Sequence, residues 1–134
     1  MTQLTTHFSL RELAHSATAQ RLNINNEPSK LILERLKNTA EKMETVRRLL
    51  GGQPIFVTSG YRSPTLNAAI GGAKNSAHKS GYAVDFKVSF MSVKDTVEKI
   101  RASGIKYDQL INEYDRWVHI SFDPRMRQQT LKIG

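Results

Sequence analysis

The sequence predicts an α+β domain, a small and mainly antiparallel sheet with helices packed on one face. Three observations predict it. Over residues 29–50 apolar residues recur at steps of three and four, the stripe of one long amphipathic helix. Four short runs of β-forming residues, near 54–58, 82–88, 108–113 and 117–122, are separated by turn-like segments. At 134 residues the chain fits one compact unit around one hydrophobic core, so residues 1–134 are read as a single domain.

The elements follow in order. Ser9 with Glu12 three positions on forms a capping box, which opens a short helix through about His15. Segment 20–28, with Asn23-Ile-Asn-Asn-Glu-Pro28, reads as a loop. The long helix then places Leu33, Leu36, Ala40, Met43, Val46 and Leu50 on its core side, and Gly51-Gly52 end it. Pro54 to Thr58 is a strand, followed by the turn-like Ser59-Gly-Tyr-Arg-Ser-Pro64. Ser63 before Pro64 suits an N-cap and a first helical position, so residues 64–70 form a short helix. Gly71 to Gly81 is a polar loop, Tyr82 to Val88 a strand, and Ser92 to Ser103 a helix stopped by Gly104. Strands 108–113 and 117–122 are joined by a tight turn, and the tail 128–133 adds an edge strand.

Composition narrows the chemistry. Hydrophobic residues make up 39% and charged residues 24%, values of a soluble globular chain. There is no cysteine, which excludes disulfides and thiolate metal sites, so any metal falls to His, Asp and Glu. Only four histidines are available: His7, His15, His78 and His119. A net charge of +8 favours polyanionic surroundings, among them nucleic acid, anionic wall polymers and lipid headgroups. Lys and Arg are spread along the chain, with no basic run interleaved with aromatics, so nucleic acid is not the expected partner. No stretch reaches the roughly 20 apolar residues of a membrane span. The opening Met1–Leu13 lacks the apolar core of a secretory signal, and a product made in the cytoplasm is expected.

Two strands carry candidate ligands. Alternation puts Tyr82, Val84, Phe86 and Val88 on the core face of one strand and Ala83, Asp85 and Lys87 on the other. In the last strand Val118, Ile120 and Phe122 face the core, while Trp117, His119 and Ser121 face away. His78 lies in the loop before the first of these strands, and Gly81 lets that loop turn close to it. Two imidazoles and one carboxylate make a three-ligand set that leaves a fourth zinc position for water. Spacing alone also suits structural histidines and a solvated strand carboxylate. His7 and His15 have no ligand partner pattern and are read as structural or exposed.

A resemblance bears on the choice. Ser76-x-His78-x-x-Gly81-x-Ala83-x-Asp85 matches at all its fixed positions the signature of the M15 peptidases, the zinc D-Ala-D-Ala carboxypeptidases and phage endolysins. Trp117-Val-His119 resembles the family's closing Trp-x-His, and Thr58-Ser-Gly-Tyr-Arg62-Ser the segment with its substrate-binding arginine. Phe8-Ser-Leu-Arg-Glu-Leu13, Thr18-Ala and the loop ending in Pro28 resemble the phage-associated branch. The resemblance implies the hedgehog/DD-peptidase fold, with one zinc ion on the open face of the sheet, held by His78, Asp85 and His119. It implies hydrolysis of bacterial peptidoglycan peptides by a metal-activated water. Arg62 would grip a substrate carboxylate, and Ser76 and Trp117 would line the site.

The chain departs from part of the family in one respect. Many members carry an acidic residue three positions before the last histidine, where this chain has Arg116, which is no base. Glu113, six positions before His119, has the spacing found in the hedgehog signalling domain and the phage-type branch, and is the expected base and later proton donor, with Asp115 as the alternative. The expected role is that of a monomeric phage or prophage lysis protein released through a holin. Alternatives are a zinc-binding module without catalysis and a virion-associated component. The cleaved bond stays open between D-Ala-D-Ala, L-Ala-D-Glu and a cross-link.

Overall fold

The computed structural model describes residues 2–134. Helix α1 spans Leu10–Ala14 and α2 spans Ala17–Arg21, and the long α3, Lys30–Leu49, follows a loop. Strand β1 (Ile55–Ser59) leads to α4 (Pro64–Ala69), a 3-10 turn (Ala77–Ser80) and β2 (Ala83–Val88). Helix α5 (Val93–Ser103) precedes β3 (Gln109–Glu113), β4 (Trp117–Ser121) and β5 (Gln129–Ile133). The strands form one sheet in the order β1-β2-β4-β3-β5. All neighbours are antiparallel except β3 and β5, which run parallel with Gln109 opposite Gln129.

Local signals act as the residue types predict. Ser9 and Glu12 close both halves of the capping box, and Ser29, Ser63 and Ser92 each cap a helix through the hydroxyl. Gly104 ends α5 in the left-handed region at φ 79°. The core holds Leu36, Ala40, Met43 and Val46 of α3, Leu50 just past its end, and Val97 and Ile100 of α5 against Val84, Phe86, Val118 and Ile120 of the sheet. Each of these side chains larger than alanine contributes about 1.5–3 kcal/mol by leaving water.

Three expectations need correction. Segment 20–28 is not loop throughout, because α2 runs to Arg21, capped by the Ser16 hydroxyl on the Ala19 amide. Five residues are too few to leave a helical period in the sequence. Leu33 is only half-buried, and Thr39 takes an inward position instead, its hydroxyl donating to the Gly81 carbonyl at 2.7 Å. Tyr82 precedes β2 and lies at the margin of the core, half-buried on the α3 side, with the Arg35 guanidinium 5.0 Å over its ring. The polar loop 71–81 also contains the 3-10 turn that carries His78.

Helices α3 and α5 cover one face of the sheet. The opposite face is left as a cleft, rimmed by α4 and by the start of α2. Among the described residues no helix is long and apolar enough to cross a membrane.

Candidate metal centre

Strand pairing builds the centre. Asp85 of β2 lies directly opposite His119 of β4, both on the face turned away from α3 and α5. Next to them, β1 carries a bulge between Val57 and Ser59, which brings the following Gly60 against the ligand loop. Gly60 is the one residue type that fits there, since a Cβ would sit 2.1 Å from the Leu13 carbonyl oxygen. The 3-10 turn is fixed at its start by the Ser76 hydroxyl, which accepts from the His78 amide at 3.2 Å. Its end turns at Gly81, φ 79°.

His78, Asp85 and His119 are all buried, and one ligand atom from each lies within 4.8 Å of the others. Asp85 Oδ1 is 2.8 Å from His119 Nδ1 and 3.2 Å from His78 Nε2. His78 Nδ1 is 2.7 Å from the Gly60 carbonyl oxygen. A carbonyl only accepts, so Nδ1 carries hydrogen and the ring turns Nε2 toward the carboxylate. Nε2 of His78, the Asp85 carboxylate and His119 thus converge on one another as the ligands of a cation do. The donor set and the orientation of His78 therefore fit one zinc ion with three protein ligands. Burial alone would raise the Asp85 carboxyl, but the bonds from His119 and His78 outweigh it and hold that group well below the usual carboxylate range.

Around the three ligands stand the other predicted residues. Arg62 Nη2 lies 3.6 Å from Asp85 Oδ2. Its Nε donates to the Ser59 hydroxyl at 3.3 Å and its Nη1 to Asn67 Oδ1 at 3.4 Å, which fixes the fork in the cleft. Burial draws the Arg62 guanidinium below its ordinary value, against the pull of Asp85 and Glu113. Glu113 pairs with Trp117 across β3 and β4, and its Oε1 is 3.9 Å from His119 Nδ1. The Trp117 indole N–H donates to Glu113 Oε2 at 2.8 Å. Ser76 and Trp117 line the cleft with Arg62, Glu113 and the three ligands, in a cavity of about 440 Å³.

The remaining candidates stand outside the ligand set, though His15 lines the rim of the cleft with Arg62 and Trp117. Asp115 is exposed in the β3–β4 turn, bonded to Asn112 at 2.8 Å and 3.9 Å from Lys132. His7 is held by Glu44 at 2.7 Å, and His15 caps the C-terminus of α1. Sequence reasoning missed the partners that hold the site: Gly60 under His78, Asn67 under Arg62, and Asn26. The last donates to the Ala14 and Tyr61 carbonyls and accepts from the Ser63 amide, tying the segment around Arg62 to the N-terminal helices. A signal for Gly60 did exist, because it sits inside the Thr58–Ser63 motif.

The profile of the peptidase M15 family matches residues 6–121, and so spans every ligand and Glu113. The chain belongs to the peptidase M15 family. Among its relatives is the zinc D-Ala-D-Ala carboxypeptidase of Streptomyces albus G, 45% identical over 47 residues, covering 35% of this chain and 18% of that protein. Another is the Haemophilus influenzae (strain ATCC 51907 / DSM 11121 / KW20 / Rd) protein named "Probable peptidoglycan L,D-endopeptidase MepK". It is 32% identical over 97 residues, covering 65% of this chain and 50% of that protein. The M15 chain described here thus spans half or less of each of these two relatives.

Proposed function

We propose that this chain hydrolyses a peptide bond of bacterial peptidoglycan, with Glu113 as general base. His78, Asp85 and His119 would hold a zinc ion, which would supply Lewis acidity and make water a stronger acid near neutral pH. Glu113 takes the proton of the attacking water and returns it to the leaving amine. Arg62, anchored by Ser59 and Asn67, binds a peptide carboxylate through its planar fork. Trp117 holds Glu113 through the indole N–H and keeps one of its oxygens turned toward the ligands. The observation that carries this reading is a carboxylate outside the ligand set but inside the same cleft, Glu113, 3.9 Å from a ligand nitrogen. That placement is the one a general base requires, and it favours catalysis over a zinc module with a binding role. The names of the two relatives supply the substrate class.

Mass spectrometry of purified muropeptides, incubated with zinc-loaded protein beside a Glu113→Ala control, tests it. The expected result is a defined fragment that the variant does not produce, and its mass names the bond. No cleavage by folded, zinc-loaded protein would turn the reading to a zinc module with a binding role.

We also propose a lysis role, in which a monomer made in the cytoplasm of a phage-infected or lysogenic host reaches the wall once a holin opens the inner membrane. Support comes from the phage-like segments Phe8–Leu13 and Thr18-Ala19 and from the net charge of +8, which suits an anionic envelope. Culture turbidity should fall on expression only when the inner membrane is permeabilised. Recovery of the protein in purified virions would favour a role in infection instead.

A further inference from the structure

The cleft does not end at the metal ligands. It continues across β3, past Ile111 and Gln109, to two arginines on the β4–β5 connection, Arg125 and Arg127. Both converge on Asp108, which is 1% exposed. Arg127 donates from Nε to Asp108 Oδ1 at 2.8 Å and from Nη2 to Oδ2 at 2.9 Å, a bidentate pair. Its amide N–H reaches the same Oδ1 at 3.0 Å. Arg125 Nη2 lies 3.8 Å from Oδ2, while its Nε donates to Asp123 at 3.0 Å. The backbone is strained on both sides of Arg127: Met126 and Gln128 take φ of 42° and 56°, in the left-handed region.

Such an arrangement fixes two guanidinium groups before any ligand arrives, which lowers the ordering cost of binding. Arg62 stands at one end of the cleft, Arg125 and Arg127 at the other, with the metal ligands between them. The three arginines meet four carboxylates there, those of Asp85, Asp108, Glu113 and the Asp123 bonded to Arg125, so a divalent ion tips the cleft to net positive. Residues 125 and 127 lie beyond the span 6–121 that the family profile matches, while Asp108, which holds them, lies within it.

We propose that Arg125 and Arg127 form a second carboxylate subsite, which takes an acidic group on the amino side of the scissile bond while Arg62 takes a carboxylate on the other side. This rests on the peptidase reading above. It narrows the substrate to peptides with carboxylates on both sides of the cleaved bond. From β2 to β3 the sheet crosses two strand spacings, about 10 Å. An extended peptide advances about 3.3–3.6 Å per residue, so the two carboxylates are separated by at least roughly three residues.

The test is calorimetric binding of a peptide pair to zinc-loaded Glu113→Ala protein, the two peptides differing only in a carboxylate or its carboxamide at that amino-side position. The acid should bind roughly tenfold or more tightly, as a charge-assisted contact implies. Arg125→Gln should bring the ratio to within about twofold of unity, and Arg127→Lys, which keeps a cation beside Asp108, should lower it as well. A ratio near one in the parent protein, a ratio unmoved by either substitution, or no binding of either peptide overturns the proposal. Cleavage by protein with Glu113 intact is measured separately. A preserved binding ratio without cleavage would sink the peptidase reading and leave the two-ended anion site standing.

Discussion

Replacing Trp117 by phenylalanine removes one hydrogen bond and keeps most of the packing of the ring. The bond lost is the 2.8 Å contact from the indole N–H to Glu113 Oε2. A hydrogen bond to a charged group contributes about 1.5–3 kcal/mol net. Glu113 is 21% exposed at its side chain, so water takes over part of the lost contact and the lower end, about 1.5 kcal/mol, applies. At about 1.4 kcal/mol per decade of rate, the freed carboxylate should slow the chemical step by roughly tenfold. Zinc content should not change, because Trp117 is not a ligand. The assay is kcat and KM on a defined muropeptide for wild type, Trp117→Phe, Glu113→Ala and the double variant, each with zinc stoichiometry measured. The loss should fall on kcat with KM little moved, and the double variant should be no slower than Glu113→Ala alone. A Trp117→Phe rate within about twofold of wild type, or a loss that adds in full to that of Glu113→Ala, would refute the positioning role.

Two further predictions follow from the contacts. Gly60→Ala places a Cβ 2.1 Å from the Leu13 carbonyl oxygen, so the chain must shift and carry away the carbonyl that orients His78. Zinc affinity, read by competition with a chromophoric chelator, should fall about 10–100-fold together with a lower Tm, and unchanged affinity would reject this support for the ligand. The Asp108 carboxyl is held below its ordinary value, first by the side-chain bond from Arg127 and against burial. A depressed folded pKa contributes stability that is present above the unfolded value of about 3.9 and is lost as pH falls through the folded one. Arg127→Gln should therefore be clearly less stable than wild type in urea at pH 7, with a gap that narrows below about pH 4. A gap constant with pH would show that the pair does not set it.

The features legible along the chain are local. Serine caps, the glycines that end helices, the three-and-four stripe of α3 and the alternation in β2 and β4 all act within a few residues, so they can be read in order along the chain. That alternation put Asp85 and His119 on the non-core face, and the spaced motif from Ser76 to Asp85 named a ligand set through its resemblance. Tertiary structure decided which strands are neighbours. The order β1-β2-β4-β3-β5 sets Asp85 opposite His119 and brings Trp117 opposite Glu113, across separations that no period in the chain encodes. It also decided which backbone carbonyl turns His78 toward the metal, why Tyr82 stays half-buried under Arg35, and how Arg127 reaches Asp108 nineteen residues away. The physical reason is the same in each case. Backbone propensity and amphipathic period are properties of adjacent residues, whereas a hydrogen bond between distant segments exists only after hydrophobic burial has packed those segments together.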